Sequence, residues 1–380
     1  MSAADKLDKA PPYKLLALDG GGIRGLIAVE VLAAMERMLQ DALGRDDRFV
    51  LAQYFDYIGG TSTGAIIATC LSLGWRVDRI RRFYVESGAQ MFDRASLLRR
   101  FKYKFEDEKL AVLLKQELGA DTTLGDERLQ TLLLLVMRNA TTDSPWPVSN
   151  NPRAKYNDAK RPDSNLRLPL WQLVRASTAA PTYFPPETIQ VGARHFVFVD
   201  GAVTMYNNPS FQLFLMATVE PYQLCWTAGE REMLLVSIGT GSSPDANANL
   251  VPGEMNLVYN ATSIPSALML AASNEQDLLC RVFGRTRYGD LLERELGDLI
   301  TPSRPLPSGR IAGPVNPKLF TYMRYNVELT RTGLDLLGLT DITPEDVQQI
   351  DSVDHVAQLS AVGAELGKKV KKDHFDGFLE

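Results

Sequence analysis

Short apolar runs alternate with longer amphipathic or mostly apolar stretches along most of the chain. Tyr13 to Leu18 reads as a buried parallel strand, and Leu26 to Leu43 as a long helix closed by Gly44. Tyr54 to Ile58 predicts a second strand, followed by an apolar helix that ends at Leu73-Gly74. Asp78 is placed to cap a further helix from Arg79 to about Met91. Leu110 to Leu118 predicts a helix closed by Gly119, and Leu132 to Met137 a buried strand, its length suiting a strand better than a helix. Leu170 to Ser177 predicts a helix, broken by Ala179-Ala-Pro181 and the prolines up to Pro186. His195 to Val199 and Met233 to Ile238 predict two more strands, the second running into the tight loop Gly239-Thr-Gly241. Asn208-Pro209 looks like a helix start, with proline at the first helical position. Leu257 to Phe283 reads as helical and Phe320 to Leu329 as a late strand. Two or three amphipathic helices follow to about Lys372, one starting at Thr343-Pro344.

The punctuation between these elements divides the chain. Residues 1–12 are polar, end in Pro11-Pro12 and read as a loose leader; residues 13–330 form the main α/β domain, and residues 331–380 a helical extension packed on it. Residues 94–105 interleave five cations with five large apolar or aromatic side chains, followed by acidic Glu106-Asp-Glu108. They read either as a patch for anionic lipid or as a half-buried segment with a solvated basic face. Residues 141–169 form the most irregular stretch, either a lid or a plain surface excursion. Residues 301–317 are rich in Pro, Gly and Ser and predict a surface loop.

Composition narrows the class without naming a chemistry. The 380 residues are 45% hydrophobic and 23% charged, enough apolar material for a large core. A net charge of −5, with no long basic run, argues against a nucleic-acid polymer as partner. Cys70, Cys225 and Cys280 are widely spaced, so neither a disulfide framework nor a metal site is expected. The first residues lack the apolar run of a secretory signal, and no apolar run approaches 18 residues, so no membrane span is expected. The expected setting is cytoplasmic, with transient contact at a membrane surface if the substrate is lipid.

Two glycine motifs carry the chemistry. Gly60-Thr61-Ser62-Thr63-Gly64 stands between an apolar strand and an apolar helix, the context of a nucleophile elbow that lifts the Ser62 hydroxyl to the sheet edge. Gly20-Gly21-Gly22-Ile23-Arg24-Gly25 links the first strand to the long helix, and such a nest of amides at a helix start suits an oxyanion hole. Gly20, Gly22 and Gly25 also fit a dinucleotide-binding fingerprint. That reading lacks a second strand ending in an acid, because Asp46-Asp47 lie in a polar connection.

Ser62 needs a base. Asp200 ends an apolar strand before Gly201-Ala202, where catalytic groups gather in parallel α/β sheets, although an ordinary turn aspartate would look the same. The order Ser62, Asp200, His355 matches α/β-hydrolases, yet His355 lies in a helical context, and His195 sits at the far end of Asp200's strand. An aspartate acting directly as base would need partial burial or a tight contact with the serine to work at neutral pH.

Taken together, Asp19 to Gly25, Gly60 to Gly64, Ala179-Ala-Pro181 and Asp200-Gly201-Ala202 resemble the blocks of the patatin-like phospholipase family, in order and spacing, over roughly residues 13–210. The resemblance implies a three-layer α/β/α fold with a mostly parallel central sheet and a Ser62–Asp200 dyad without histidine. It implies calcium-independent hydrolysis of lipid acyl esters through an acyl-enzyme, with no cofactor, the backbone of Gly21, Gly22, Ile23 and Arg24 serving the oxyanion. Some members are effectors switched on by cyclic oligonucleotides, which adds such an activator as an expectation. A binding or storage protein with incidental esterase activity is the alternative from another class.

Overall fold

The computed structural model describes residues 2–92, 107–181, 183–244, 251, 257–292, 307–308 and 317–380. The apolar runs assemble into one mixed sheet ordered β5-β6-β3-β2-β1-β7-β9-β8, with β4 also paired to β3. Its strands are β1 (Tyr13–Leu18), β2 (Tyr57–Thr61), β3 (Leu132–Asn139), β4 (Ser144–Ser149), β5 (Glu187–Val191), β6 (Arg194–Asp200), β7 (Met233–Ile238), β8 (Arg285–Tyr288) and β9 (Thr321–Tyr325). Pairing is parallel from β3 through β2, β1, β7 and β9 to β8, and antiparallel where β4 and β6 meet β3 and where β5 meets β6. The central strands are apolar on both faces because helices cover both.

Alternation along each strand sorts the side chains into two cores. Leu16, Leu18, Ile58, Leu133, Leu135 and Val236 enter one. Tyr13, Leu15, Ala17, Tyr57, Leu132, Leu134 and Leu235 enter the other. The first core is covered by α1 (Gly25–Ala42), α2 (Thr63–Ser72), α3 (Val77–Phe92), α4 (Asp107–Leu118) and α5 (Leu170–Ser177). The second is covered by α6 (Ser210–Thr218) and by Cys280 of α7 (Leu257–Phe283). Each fully buried Leu or Ile contributes roughly 1.5–3 kcal/mol, so this three-layer stack holds the sheet edge in place.

The C-terminal helices α8 (Arg331–Leu336), α9 (Pro344–Gln348) and α10 (Val356–Gly367) return to the start of the chain. Leu359, Val362 and Leu366 of α10 join the first core. A Cβ on Gly363 would meet Ile27 backbone and Glu30 of α1 within 2.8 Å, so α10 crosses α1 at close range. Residues 3–9, expected to be loose, carry Lys6, which is buried and donates to the buried Asp56 at 3.0 Å. Lys9 donates to the other oxygen of Asp56 at 2.5 Å.

Differences from expectation lie at the edges. The second strand runs over Tyr57–Thr61, because Leu51–Gln53 coil into a short 3-10 turn. Within the stretch expected to be irregular, Ser144–Ser149 forms a strand carrying Pro145 and Pro147. It pairs only with β3, and an edge strand can turn donor-free prolines away from its partner. Strands β5 and β8 also escape a hydrophobicity pattern, being short and half exposed. The cationic stretch 94–105 and, apart from residues 307, 308 and 317, the loop 301–317 lie outside the described residues.

Candidate active site

Two strands running in opposite directions meet on one edge of β3, and this brings Ser62 to Asp200. β2 runs parallel to β3 and ends with Thr61 opposite Val136. β6 runs antiparallel to β3 and ends with Asp200 opposite Met137, the next position. β4 pairs with both Val136 and Met137 and therefore takes the other edge. Asp200 thus descends onto the end of β2 from an antiparallel strand, and not from the parallel strand the sequence suggested. The Ser62 hydroxyl donates to Asp200 Oδ2 at 2.6 Å.

Local geometry holds each partner. Ser62 has φ 55° and ψ −123°, a left-handed conformation costly for a residue with a Cβ, at the turn between β2 and α2. The turn is so tight that a Cβ on Gly60 would lie 2.0 Å from the Gly64 carbonyl oxygen. Asp200 caps the turn Gly201–Val203, its Oδ1 accepting from the Ala202 amide at 2.7 Å. Its own amide donates to the Ala179 carbonyl at 2.9 Å. Thr63 points inward, sharing a hydrogen bond of 2.5 Å with the Tyr84 hydroxyl, and Thr61 Oγ1 donates to the Tyr206 carbonyl at 2.6 Å. Pro181 is exposed in the turn beyond α5.

The two glycine motifs interlock. A Cβ on Gly20 would lie 3.1 Å from Ser62 Cβ, and one on Gly64 2.3 Å from the Leu18 carbonyl oxygen. Only bare backbone lets the first loop lie this close to the elbow. The loop is then held from three sides. Thr240 Oγ1 donates to the Gly20 carbonyl at 2.8 Å, and the Gly20 amide donates to the Asn207 carbonyl at 3.1 Å. From the C-terminal segment, the Ile350 carbonyl accepts from the Ile23 amide at 3.0 Å and the Gln348 carbonyl from Arg24 Nη1 at 3.0 Å.

These contacts engage part of the expected donor set. The amides of Gly20 and Ile23 are engaged elsewhere, and that of Gly25 bonds back to Gly22 and Ile23. The Arg24 side chain ties the loop to Gln348; burial lowers its pKa to about 10, so it stays charged at neutral pH. Among the described residues, the amides of Gly21, Gly22 and Thr63 make no backbone hydrogen bond to another segment. Asp19 is taken up by a buried bidentate pair with Arg324, at 2.8 and 2.5 Å. His355 faces Asp346, 3.8 Å away, and His195 pairs with Gln190 on β5, so neither is joined to Ser62.

Burial sets the electrostatics. Ser62 is 7% and Asp200 2% exposed. Loss of water pushes the Asp200 carboxyl up to about 7, against the opposing pull of the Ser62 and Ala202 hydrogen bonds. A carboxylate titrating near neutrality can take a proton from a serine far better than one near 3.8. The residue the sequence reading missed is Ser177, at the end of α5. Its hydroxyl accepts from the Ser62 amide at 2.9 Å and donates to the Val136 carbonyl at 2.5 Å. A lone serine just before Ala179-Ala-Pro181 was the available signal, and it does not stand out from an ordinary helix end.

The family description "Patatin-like phospholipase" matches residues 16–214. Patatin-T5 of Solanum tuberosum is 29% identical over 248 residues, and Patatin-17 of Solanum cardiophyllum 31% over 249. Each alignment covers 61% of this chain and 61% of the relative, so the chain spans about three fifths of the relatives it matches. Human GIVD cytosolic phospholipase A2 aligns at 12% identity and a TM-score of 0.43, covering 99% of this chain and 61% of that one, a likeness too slight to carry an argument. The family match takes in more than half of the chain, with both glycine motifs and Asp200 inside it, and the chain belongs to the patatin-like phospholipase family.

Proposed function

We propose that this chain hydrolyses fatty-acyl esters of phospholipids, with Ser62 as nucleophile and Asp200 as general base. The observation that carries the reading is the 2.6 Å hydrogen bond from Ser62 to a buried Asp200 whose pKa is raised to about 7. In the first half-reaction Ser62 Oγ bonds to the acyl carbon while Asp200 takes its proton. The carbonyl oxygen becomes an oxyanion facing the Gly21, Gly22 and Thr63 amides, each such donor typically worth about 100- to 1,000-fold in rate. Collapse breaks the ester C–O bond, and Asp200 returns the proton to the leaving alcohol. In the second half-reaction water attacks the acyl-enzyme, Asp200 takes the water proton, and the fatty acid leaves as Ser62 regains a proton.

Family membership and the desolvated site support a lipid substrate. Val203 and Met205, just past Asp200, expose apolar side chains that suit transient contact with a lipid surface. No helix among the described residues is long and apolar enough to cross a membrane, so contact would be made from one side.

The test is fatty-acid release from mixed phospholipid liposomes, read by mass spectrometry, for wild type, Ser62→Ala and Asp200→Ala. Loss of release in both folded variants is the expected result. Loss in Ser62→Ala alone would move the base elsewhere, and release by both would leave only incidental esterase activity or a binding role. Adding a panel of cyclic di- and trinucleotides tests the activator; no stimulation removes it.

A further inference from the structure

The segment from Ser177 to Ala179 touches the backbone of both members of the pair. In a parallel ladder with Thr61 opposite Val136, the next β2 amide, that of Ser62, would donate to the Val136 carbonyl. β2 turns away at that point, because Ser62 adopts its left-handed conformation to enter α2. The Ser177 hydroxyl fills the gap, accepting from the Ser62 amide at 2.9 Å and donating to Val136 O at 2.5 Å. Two residues on, the Ala179 carbonyl accepts from the Asp200 amide at 2.9 Å. Gly201 packs on the same Val136 carbonyl, where a Cβ would come within 2.3 Å of the oxygen. Nucleophile and base are therefore registered to one carbonyl and to one three-residue segment. Ser177 itself is fully buried, so no water can substitute from bulk.

We propose that Ser177 is a positioning residue: its hydroxyl replaces the missing rung between Ser62 and Val136 and, with the Ala179 carbonyl, sets the separation of Ser62 from Asp200. This rests on the reading of Ser62 as nucleophile. Without the hydroxyl, the Ser62 amide and the Val136 carbonyl both lose a buried partner, and the elbow relaxes away from its strained conformation. The Ser62 hydroxyl then drifts from Asp200. Since that hydrogen bond lowers the Asp200 pKa, its loosening raises it.

The experiment compares wild type, Ser177→Ala, Ser177→Thr and Ser62→Ala on a soluble p-nitrophenyl ester over pH 5 to 9, with thermal unfolding over the same range. A displacement of about 1 Å can cost on the order of 100-fold in rate. Ser177→Ala is expected to lose roughly 10- to 100-fold in kcat with KM little changed, and its acid limb should move to higher pH. Ser177→Thr, which keeps a hydroxyl, should recover most of the rate and return the limb. Should Ser177→Ala fail to fold, Ser177→Cys, close in size and a weaker hydrogen-bonding group, should shift both readouts the same way by less. Unchanged kcat, or a fall in melting temperature and kcat with the limb in place, would overturn the positioning role. An active Ser62→Ala, or an inactive wild type, would instead sink the nucleophile reading. The pH dependence of unfolding needs no substrate and decides Ser177 in that case too.

Discussion

Asp200 shows how much a single residue takes from its surroundings. A solvated aspartate titrates near 3.8, whereas burial here brings the carboxyl to about 7. Only the ionised form is a base, so kcat/KM should rise with pH through about 7 and fall off below it; a profile flat from pH 5 to 8 would contradict the assignment. Stability should move the opposite way. Between the unfolded value near 3.8 and the folded value near 7 the native state binds more protons, so stability falls as pH rises across that window. Each pKa unit is worth about 1.4 kcal/mol, which puts the cost of the ionised, buried carboxylate at the order of several kcal/mol above pH 7. Asp200→Asn removes the charge. It should melt higher than wild type at pH 8 and close to wild type at pH 4.5, while losing esterase activity, as calorimetry at the two pH values can check.

At the scale of the element, the site is a junction of backbones more than of side chains. The loop after β1 and the turn after β2 lie so close that Gly64→Ala would place a Cβ 2.3 Å from the Leu18 carbonyl. Backbone cannot swing aside as a flexible side chain can. The substitution should cost about 1–3 kcal/mol in urea denaturation and reduce turnover as well. Gly44→Ala is the matched control. Gly44 has φ +60° with nothing within 4 Å, so its cost should be about 1–2 kcal/mol of backbone strain, with kcat intact. The C-terminal segment belongs to the same junction, because Arg24 and Ile23 hold the Gln348 and Ile350 carbonyls. Arg24→Ala should therefore raise amide hydrogen exchange across residues 344–355, and unchanged protection there would show that α10 alone seats the segment.

Across the whole molecule, distant strands are clamped beneath the active edge. Asp19, at the end of β1, pairs with Arg324 of β9, and Arg324 Nη1 also donates to Ser237 of β7, the strand between them, at 2.7 Å. Burial alone would lower the Arg324 pKa, but the charge and hydrogen bonds of Asp19 overcome it and hold the guanidinium protonated. Breaking such a pair leaves an uncompensated buried charge, typically at a cost of about 3–5 kcal/mol. Arg324→Met should show a loss of that size. Asp19→Asn combined with Arg324→Met should recover part of it, and a double-mutant cycle by chemical denaturation reads the coupling.

Much of this was legible beforehand for a local reason. The periods of β1, β3, β7, α1 and α5 are carried by neighbouring residues, and the glycines of the two motifs answer to turns a few residues long. The pair Ser62 and Asp200 could be named, because one sits in an elbow pattern and the other at a strand end before a glycine. The direction of β6, the proline-bearing edge strand β4, the Ser177 hydroxyl and the Ile350 carbonyl were decided only by tertiary structure. Apart from β4, which folds straight back on β3 as a hairpin, each joins segments far apart in the chain, through backbone groups or a side chain too ordinary to mark its own role. Sequence by itself determined the central strands and the main helices, and which residues carry reactive groups. Tertiary packing decided which amides remain available, how far Ser62 lies from Asp200, and how strongly burial shifts that carboxyl, since those depend on what the fold removes from water.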